Sequence, residues 1–476
     1  MYRKTAGQLQ IANFYLPFSG KLNSDNRWVR MEKIIPWARF EAQYAANFAA
    51  SGMGAEAKPA RMALGALIIK EYCQYSDEET VEQIRENPYL QYFIGLTEFS
   101  NEPPFDPSMM VHFRKRFNMD ILNEINESIC HIEKKEQKSR NNDDKNDNNG
   151  NNKGTLILDA TCAPSDIRYP TDLGLLNDAR EKLESVIDEL HQSEKGKSAK
   201  PRTYRRIARR EYLRAVKVKK PRKKMLYKAI GKQLRFVARD LKIIEQQQKN
   251  KASITLGERQ IKELRTIQNL YQQQNQMHER KEHHVQDRIV SISQPYVRPI
   301  VRGKAGSETE FGAKVGISVC NGFVFVDKVS WDNYNEGTHL IEQVESYKKR
   351  FGYYPEVVAA DKIYRNRDNS KYCKGNDIRL SGPSLGRPKK DLEKEQKRIE
   401  RMDNRTRNAV EGKFGEGKRR YGLARIMAKL QETSESVIIL QFLVMNLEHR
   451  LRLLFIRFWL SVCRMAFAPS WRICES

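Results

Sequence analysis

Three acidic residues stand where their carboxylates could act together on a phosphodiester. Two short apolar runs, residues 156–159 and 357–361, each end in an aspartate, Asp159 and Asp361. Runs of this length are typical of buried strands, so each acid is expected at the edge of a sheet, facing a ligand. The third acid, Glu411, follows in a basic string. Three carboxylates gathered there could hold two Mg²⁺ ions, which activate the attacking and leaving oxygens of a phosphodiester.

Each acid, taken alone, has an ordinary explanation. An aspartate after a strand often caps the next helix, and a lone glutamate on a helix is usually solvated. Arg407 and Lys418 change that balance, because they flank Glu411 at offsets of four and seven residues and can steady phosphate oxygens. On a continuous helix the three side chains would point within roughly 40° of one direction. The combination favours a metal site beside a phosphate-binding helix.

The net charge points to a polyanionic partner. Lys and Arg exceed Asp and Glu by 85 − 60 = 25 over 476 residues, and the isoelectric point is about 9.6. The excess is clustered, since residues 195–224 hold fifteen Lys or Arg and one acid, Glu211. A merely soluble basic protein explains such clustering less well than binding to nucleic acid.

Cysteine usage and hydropathy indicate a cytoplasmic protein. Seven cysteines are scattered without a Cys-x-x-Cys pair, which is typical of a reducing compartment and excludes that form of zinc site. The N-terminus lacks the apolar segment of a secretory signal. The apolar run 451–467 is interrupted by Arg452, Arg457 and Arg464, so we interpret it as a buried or interface helix, not a membrane anchor.

The central part of the chain changes from a helical period to a period of two. Strands are expected at 288–292, 311–319 and 322–327, the last two joined by a tight turn at Asn321-Gly322. A helix over 338–351 and the strand ending at Asp361 follow. The order of elements is that of a ribonuclease H-like domain interrupted by an insertion: a strand with an acid, a hairpin, a helix, a second strand with an acid, and a helix with the third acid.

The chain is therefore predicted to be an α+β protein with a helical N-terminal domain before an interrupted ribonuclease H-like catalytic domain. Successive short helices near the start could form a helix-turn-helix reader, although their spacing alone favours an ordinary bundle. The predicted segments are a helical N-terminal DNA-binding domain (1–132), a flexible polar linker (133–154), the catalytic domain (155–172 and 285–450), a helical basic insertion forming a long antiparallel pair (173–284), and an apolar C-terminal helix or tail (451–476).

The motifs resemble those of bacterial insertion-sequence transposases of the DDE type, in the group with a Tyr-x2-Arg-x3-Glu-x6-Lys signature. Arg407, Glu411 and Lys418 match at the right spacing, while the tyrosine position holds Asn404. That tyrosine is linked to a hairpin intermediate in the family, whose use here stays open. Further matches are the second acid's Asp-x-x-Tyr at 361–364, the first acid's Leu-Asp-Ala-Thr at 158–161, and N-terminal strings at 104–108 and 113–116.

The resemblance implies a transposase that binds the terminal inverted repeats of an insertion sequence, cuts the DNA and joins its 3′ ends to a target. Asp159, Asp361 and Glu411 would be catalytic and hold two Mg²⁺ ions, for which Mn²⁺ can substitute, and Arg407 and Lys418 would contact DNA. The implied partners are double-stranded DNA, both terminal repeats and target, and a second copy in a homodimeric synaptic complex. Such a protein would work in the cytoplasm, associated with the nucleoid.

Two further basic residues, Arg302 and Lys304, lie just ahead of the predicted hairpin. They could grip a DNA backbone near the site, although a loop that merely stays soluble explains them equally well. Two other functions also remain open for the whole chain. One is a non-catalytic nucleic-acid-binding protein, and the other is a ribonuclease H-like nuclease that hydrolyses DNA without strand transfer.

Overall fold

A computed structural model describes residues 15–16, 20–48, 56–131, 152–192, 199–250, 256–304, 307–382 and 394–466. Its residues divide into two compact units of a mixed α+β chain. The first unit comprises Met1–Ala163, Lys314–Ser330 and Tyr334–Ser476, and the second Pro164–Ala313 and Trp331–Asn333. Residues 133–151 of the predicted linker lie outside the described residues.

The N-terminal part of the first unit is helical, as predicted. Its helices are α1 (Arg27–Glu32), α2 (Trp37–Ala45), α3 (Ala60–Cys73), α4 (Asp77–Glu86), α5 (Pro88–Phe93), α6 (Met109–Arg116) and α7 (Met119–His131). Helix α3 is buried around most of its circumference, which makes it the centre of this bundle. Helix α4 begins at Ser76, whose hydroxyl accepts a hydrogen bond from the Glu79 amide.

The basic end of α6 takes part in this packing. Arg114 is buried and donates two hydrogen bonds to Asp77, at 2.9 and 2.7 Å. The Arg116 guanidinium lies 4.4 Å from the centre of the Phe48 ring, whereas Lys115 is exposed. These contacts are those of a helical bundle, the arrangement that the helix spacing favoured.

Six strands are described: β1 (Thr155–Pro164), β2 (Arg298–Lys304), β3 (Ser307–Cys320), β4 (Phe323–Ser330), β5 (Val357–Ala359) and β6 (Arg379–Leu380). In the first unit they lie in the order β4-β3-β1-β5-β6. Strands β3 and β4 are antiparallel, whereas β5 is parallel to both β1 and β6. Asn321 and Gly322, at φ of 52° and 82°, form the predicted turn between β3 and β4. In the second unit, β2 pairs with the start of β3.

Two expectations about strands were wrong. Residues 288–292 form no strand, because Ile289 and Ile292 are buried in the helical core of the second unit. The expected strand end at Asp159 also differs, since β1 continues to Pro164 and Asp159 lies inside the strand. A period of two over five residues cannot distinguish a strand from an extended segment that packs beneath helices.

The second unit consists mainly of four helices, where a long antiparallel pair was expected. They are α8 (Asp172–Gln192), α9 (Arg205–Val216), α10 (Lys223–Asn250) and α11 (Glu258–Arg280). Apolar side chains of α8, α10 and α11 form a common core that includes Leu183, Val237 and Leu270. Helix α9 is short because Pro201 and Pro221 flank it, and proline interrupts a helix.

The remaining helices of the first unit are α12 (Leu340–Phe351), α13 (Arg367–Gly375), α14 (Lys394–Arg420) and α15 (Gln431–Ala466). In α15, buried Asn446 accepts a hydrogen bond from the Val324 amide of β4 (2.9 Å) and donates to the Val324 carbonyl (2.6 Å). It also donates to Asn126 of α7 at 2.7 Å. The Asn446 side chain therefore joins two helices to the outer edge of β4.

The apolar C-terminal run belongs to α15, which continues across the predicted boundary at residue 451. Its side chains Leu454, Phe455, Ile456 and Trp459 are exposed in the first unit. In the described part of the chain, no helix has the length and apolar character needed to cross a membrane.

A buried acid in the second unit makes its stability depend on pH. Asp240 on α10 is fully buried, and neither carboxylate oxygen has a hydrogen-bond partner among the described residues. Burial raises the pKa of Asp240 to about 7, with a further rise from nearby Glu184. Below that pH the folded protein keeps Asp240 neutral, whereas the unfolded chain ionises it from about pH 4. Stability is consequently lost as the pH rises from about 4 through 7.

We expect Asp240→Asn to remove this loss. The variant should melt above the wild type at pH 8 by roughly 2–8 °C, the shift that about 1–2 kcal/mol produces in a unit of this size. The gap should narrow towards pH 5, as measured by circular dichroism. Asp188→Asn is a control of opposite sign, because hydrogen bonds from Arg205 lower the pKa of Asp188 to about 2. Parallel curves of Tm against pH for the wild type and Asp240→Asn would contradict the assignment.

Candidate active site

The two aspartates lie just beyond the paired residues of the parallel ladder between β1 and β5, at the same offset in the chain as those residues. Thr155 lies opposite Val357, an offset of 357 − 155 = 202, and the pairing continues to Ile157 opposite Ala359. The aspartates have the same offset, 361 − 159 = 202, and the Asp361 backbone is still extended. Side chains alternate along a strand, so Asp159 and Asp361 follow Ile157 and Ala359 on one face. The two carboxylates thus converge at the end of β5.

Asp159 lies in a negative and partly dehydrated environment. Burial raises its pKa to about 6, against the hydrogen bond that it accepts from the Ala160 amide at 2.8 Å. Glu336 and Asp361 raise this pKa further by charge repulsion, and Arg407 lowers it. Two acids and one guanidinium are consequently within electrostatic reach of Asp159.

Arg407 supplies the positive charge nearest to Asp361. Its Nη1 donates to Asp361 Oδ1 at 2.8 Å, and the same oxygen accepts a hydrogen bond from the Lys362 amide at 2.7 Å. Asp361 thereby caps the short 3₁₀ helix Lys362–Tyr364 while remaining half exposed. The predicted DNA-binding arginine and the predicted second acid therefore lie in direct contact.

Helix α14 carries the remaining signature residues and is fixed beside the sheet. Arg379 of β6 donates two hydrogen bonds to Asp403, at 2.7 and 2.8 Å. The helix continues unbroken to Arg420, so its glycines do not end it before Lys418. Gly417 permits a close approach, since a Cβ there would lie 3.2 Å from the Leu423 side chain. Arg407, Glu411 and Lys418 are therefore carried by one rigid element.

Glu411 lies on α14, apart from the two aspartates. Its side chain is exposed, and no hydrogen bond or ion pair in the described structure joins it to Asp159 or Asp361. Among the described residues, no three or more His, Cys, Asp or Glu side chains lie close enough to hold a metal ion. Asn404, at the position of the family's tyrosine, is exposed on the same helix.

Glu336 is an acid of this region that the sequence analysis missed. It begins the 3₁₀ helix Glu336–Thr338, which Asn335 caps through the Gly337 amide. Its carboxylate pairs with Lys314 of β3 at 2.9 Å, and Lys314 also donates to the Tyr334 carbonyl at 2.7 Å. The only available signal was the Asn-Glu-Gly turn before α12, which has no strand or signature beside it to draw attention.

A buried asparagine ties the loop of Glu336 to the loop after Asp361. Asn369 of α13 donates from its Nδ2 to the carbonyls of Gly337 and Tyr364, both at 2.7 Å. The fit is close, because a Cβ on Gly337 would lie 2.3 Å from the Ile363 carbonyl oxygen. The aspartate and the glutamate are consequently held by one hydrogen-bonding side chain.

Tyr364, the tyrosine of the Asp-x-x-Tyr motif, forms the apolar wall of the site. Its side chain is buried, and burial raises its pKa, with added repulsion from Glu336 and Asp159.

Arg302 and Lys304 belong to the second unit, where both lie on β2 and Lys304 is opposite Ser307. The side chains of these two basic residues are outside the described structure, so their contact with DNA stays a prediction.

We expect Asn369→Ala to destabilise the protein by about 1–3 kcal/mol, because two buried hydrogen bonds are lost, although Asn366 still donates to both carbonyls. Urea unfolding measures the change. Asn404→Ala is the matched control, since Asn404 is exposed and the change should remain within about 0.5 kcal/mol. Equal unfolding free energies for the two variants would show that the asparagine does not hold these loops.

Comparison with known proteins places these residues in a family. The family profile described as Transposase DDE domain matches residues 358–448, which include Asp361, Arg407, Glu411 and Lys418. The profile described as Transposase domain (DUF772) matches residues 17–116. Asp159 lies outside both matched segments.

A curated relative is also similar to the chain. The protein titled "Uncharacterized protein ORF8 in nfe locus" from Rhizobium meliloti is 30% identical over 194 residues, covering 41% of this chain and 86% of that protein. No solved structure matches the chain. With an acidic pair at the end of β5, a signature helix beside it and both transposase profiles matched, the chain belongs to the insertion-sequence DDE transposases.

Proposed function

We propose that this transposase binds the terminal inverted repeats of its element, cleaves the DNA there with the help of divalent metal ions, and joins the 3′ ends to target DNA. The observation that carries the proposal is the shared register of Asp159 and Asp361, with Arg407 bound to Asp361. Like charges close together cost stability, so the pair of aspartates suits a cation, and the guanidinium of Arg407 beside it suits an anionic substrate.

Asp159, Asp361 and Glu411 would hold the metal. All three supply carboxylate oxygens, the ligands that Mg²⁺ and Mn²⁺ prefer. The chemistry that such ions would supply there is Lewis acidity, which makes the attacking oxygen easier to deprotonate and offsets charge on the phosphate. The donor set fits a cation, because a guanidinium already lies on Asp361 and repulsion from Asp361 already raises the pKa of Asp159. Glu411 lies one helical turn beyond Arg407, on the same side of α14.

The chain's basic residues would position the DNA. Arg407 lies against the acids and can bind a phosphate oxygen there, because a guanidinium forms two parallel hydrogen bonds with such a group. Lys418, partly exposed two turns after Glu411, would hold the same strand further along. Arg302 and Lys304 would contact the backbone from β2.

The strand order supports a ribonuclease H-like catalytic domain. The hairpin β3-β4 lies on one side of β1 in the sheet, and β5 and β6 lie on the other. The predicted segments remain part of the proposal: DNA binding by residues 1–132, catalysis by 155–172 and 285–450, and a basic insertion at 173–284. Synapsis of two element ends would bring two copies together as a homodimer on nucleoid DNA in the cytoplasm.

Asp159→Asn, Asp361→Asn and Glu411→Gln should each abolish Mg²⁺-dependent cleavage of DNA carrying the element's ends. Loss of several kcal/mol of metal-assisted catalysis corresponds to roughly a thousandfold or more in rate. Binding of the same DNA should change little. Asp368→Asn is the control, an exposed acid on α13 that should cleave like the wild type.

Each outcome assigns a function. Wild-type cleavage by one of the three variants removes that residue from the site. Metal-independent binding without any cleavage by the wild type would favour a non-catalytic nucleic-acid-binding protein. Cleavage without joining would favour a nuclease.

Lys418→Ala should impair the joining of donor ends to target DNA more than it lowers Tm, since we place its ammonium on a phosphate. Arg419→Ala is the matched control, because Arg419 is exposed and donates only to the Gly415 carbonyl among the described contacts. Both quantities can be measured on one preparation by gel assay and thermal melting. Joining at the wild-type rate would reduce Lys418 to a surface cation worth ~0–1 kcal/mol.

A further inference from the structure

The second unit carries a concentrated positive surface. It comprises α9, the connection 217–222 and the first turns of α10, and we call residues 202–228 the cationic corner. Helix α9 buries Ala208, Tyr212 and Ala215 on one side. A helix turns about 100° per residue, so Arg206 and Arg210 point the opposite way and Arg209 points about 90° to the side. All three are exposed.

Much of this charge has no ion-pair partner among the described residues, although Arg205 is paired with Asp188 at 2.6 Å. Arg206, Arg209 and Arg210 form no ion pair with any described residue. The corner's one acid, Glu211, is paired with Lys232 at 2.6 Å and with Arg214 at 3.7 Å. An exposed basic surface normally contains acids that balance it, whereas this one leaves its field open to solvent.

The helix termini add to the field. Helix α10 begins with Lys223 and Lys224 and has no acid in its first turn. Helix α9 also has no acid in its first turn, where Arg206 follows Arg205, the residue paired with Asp188. The N-terminus of a helix is already positive, so a cation there costs roughly 0.3–1 kcal/mol. A sequence selected for stability alone would place acids at these positions, as α4 does with Asp77. The arrangement is favourable once an anion is bound.

A groove runs between the end of α9 and the start of α10. Its volume is about 390 Å³, and its lining combines the apolar side chains Ala215 and Met225 with the cations Arg214, Arg222 and Lys228. The stripe of α9 from Arg206 to its end is about 16 Å long at ~1.5 Å per residue, enough to follow several phosphates of one strand.

The corner lacks the Asn and Gln side chains that read adenine, and its Arg and Lys side chains can bind phosphate as well as guanine. Residues 199–228 contain no Asn, Gln, Asp or Ser. Asn and Gln read adenine, and Asp and Glu read cytosine, whereas Arg and Lys are also the usual ligands of phosphate. The one glutamate, Glu211, is already engaged by Lys232.

We propose that the cationic corner binds the phosphate backbone of duplex DNA without regard to sequence. Such a surface holds target or flanking DNA, while recognition of the terminal repeats lies elsewhere in the chain. The inference rests on residues of the second unit alone, so it does not depend on metal binding or cleavage by the first.

The test removes three charges from the corner of the full-length protein, in the variant Arg206→Gln/Arg209→Gln/Arg210→Gln. The matched control removes three from exposed positions of α11 in the same unit, Arg259→Gln/Lys262→Gln/Arg265→Gln. Binding to two duplexes of unrelated sequence is titrated between about 50 and 200 mM salt. The slope of log K against log salt should become shallower by roughly 2–3 for the corner variant, because each phosphate contact contributes about 0.9.

The same shift is expected with both duplexes, and the control should keep the wild-type slope. Replacing the three arginines by lysine should retain most of the slope, because the proposed binding to phosphate depends on the positive charge and not on the forked shape of the guanidinium. Unchanged melting temperatures for both glutamine variants would show that folding is intact, as their side chains are exposed.

Several results would overturn the proposal. A wild-type slope for the corner variant would show that DNA does not lie there, and an equal loss in the control would show an effect of net charge only. A loss with one duplex alone would mean base reading. A loss confined to duplex RNA would assign the corner to RNA. None of these readings uses cleavage, so a failed proposal here is distinguishable from a failed catalytic assignment.

Discussion

The parallel hydrogen-bonded ladder between β1 and β5 is the constraint on which the site depends. It brings together two residues that are 202 positions apart in the chain, because the strands are paired at that offset until two residues before the aspartates. The neighbouring contacts serve this ladder. Ser381 holds the Ala360 amide at 3.0 Å, just before Asp361, and Asn369 fixes the loop that follows it. The position of one carboxylate relative to the other is therefore a property of the sheet.

The candidate site also holds like charges close together, which lowers the stability of the free protein. Asp159 is kept where burial disfavours its ionised form, beside two further acids. The guanidinium of Arg407 compensates only part of that repulsion, and Lys314 neutralises Glu336. The second unit repeats the principle with opposite sign, through cations placed at positive helix ends. Both surfaces are costly in the free protein and become favourable when charge of the opposite sign arrives.

The sequence predicted the elements that carry the candidate site better than the loops around them, for physical reasons. An apolar run ending in Asp361 and a helix with Glu411 at a fixed offset are local patterns, and both elements formed. Glu336 could not be found, because its proximity to Asp159 arises from folding of the loop after β4 and leaves no periodic trace. The segment 288–292 was misread since alternation alone does not reveal whether a partner strand exists. Long-range packing decides both the position of Glu336 and the conformation of residues 288–292.

The contact between Asn446 and Val324 has a consequence for the protein in a crowded cell. Strand β4 pairs with β3 on one side, and on the other its backbone would be open to a strand from a second molecule. Asn446 occupies both the amide and the carbonyl of Val324, and Asn126 adds a second donor to that carbonyl. The side chains of Asn446 and Asn126 thus bind the backbone of Val324 as a neighbouring strand would. They occupy this point of the sheet edge, so a strand of a second molecule cannot pair with it there.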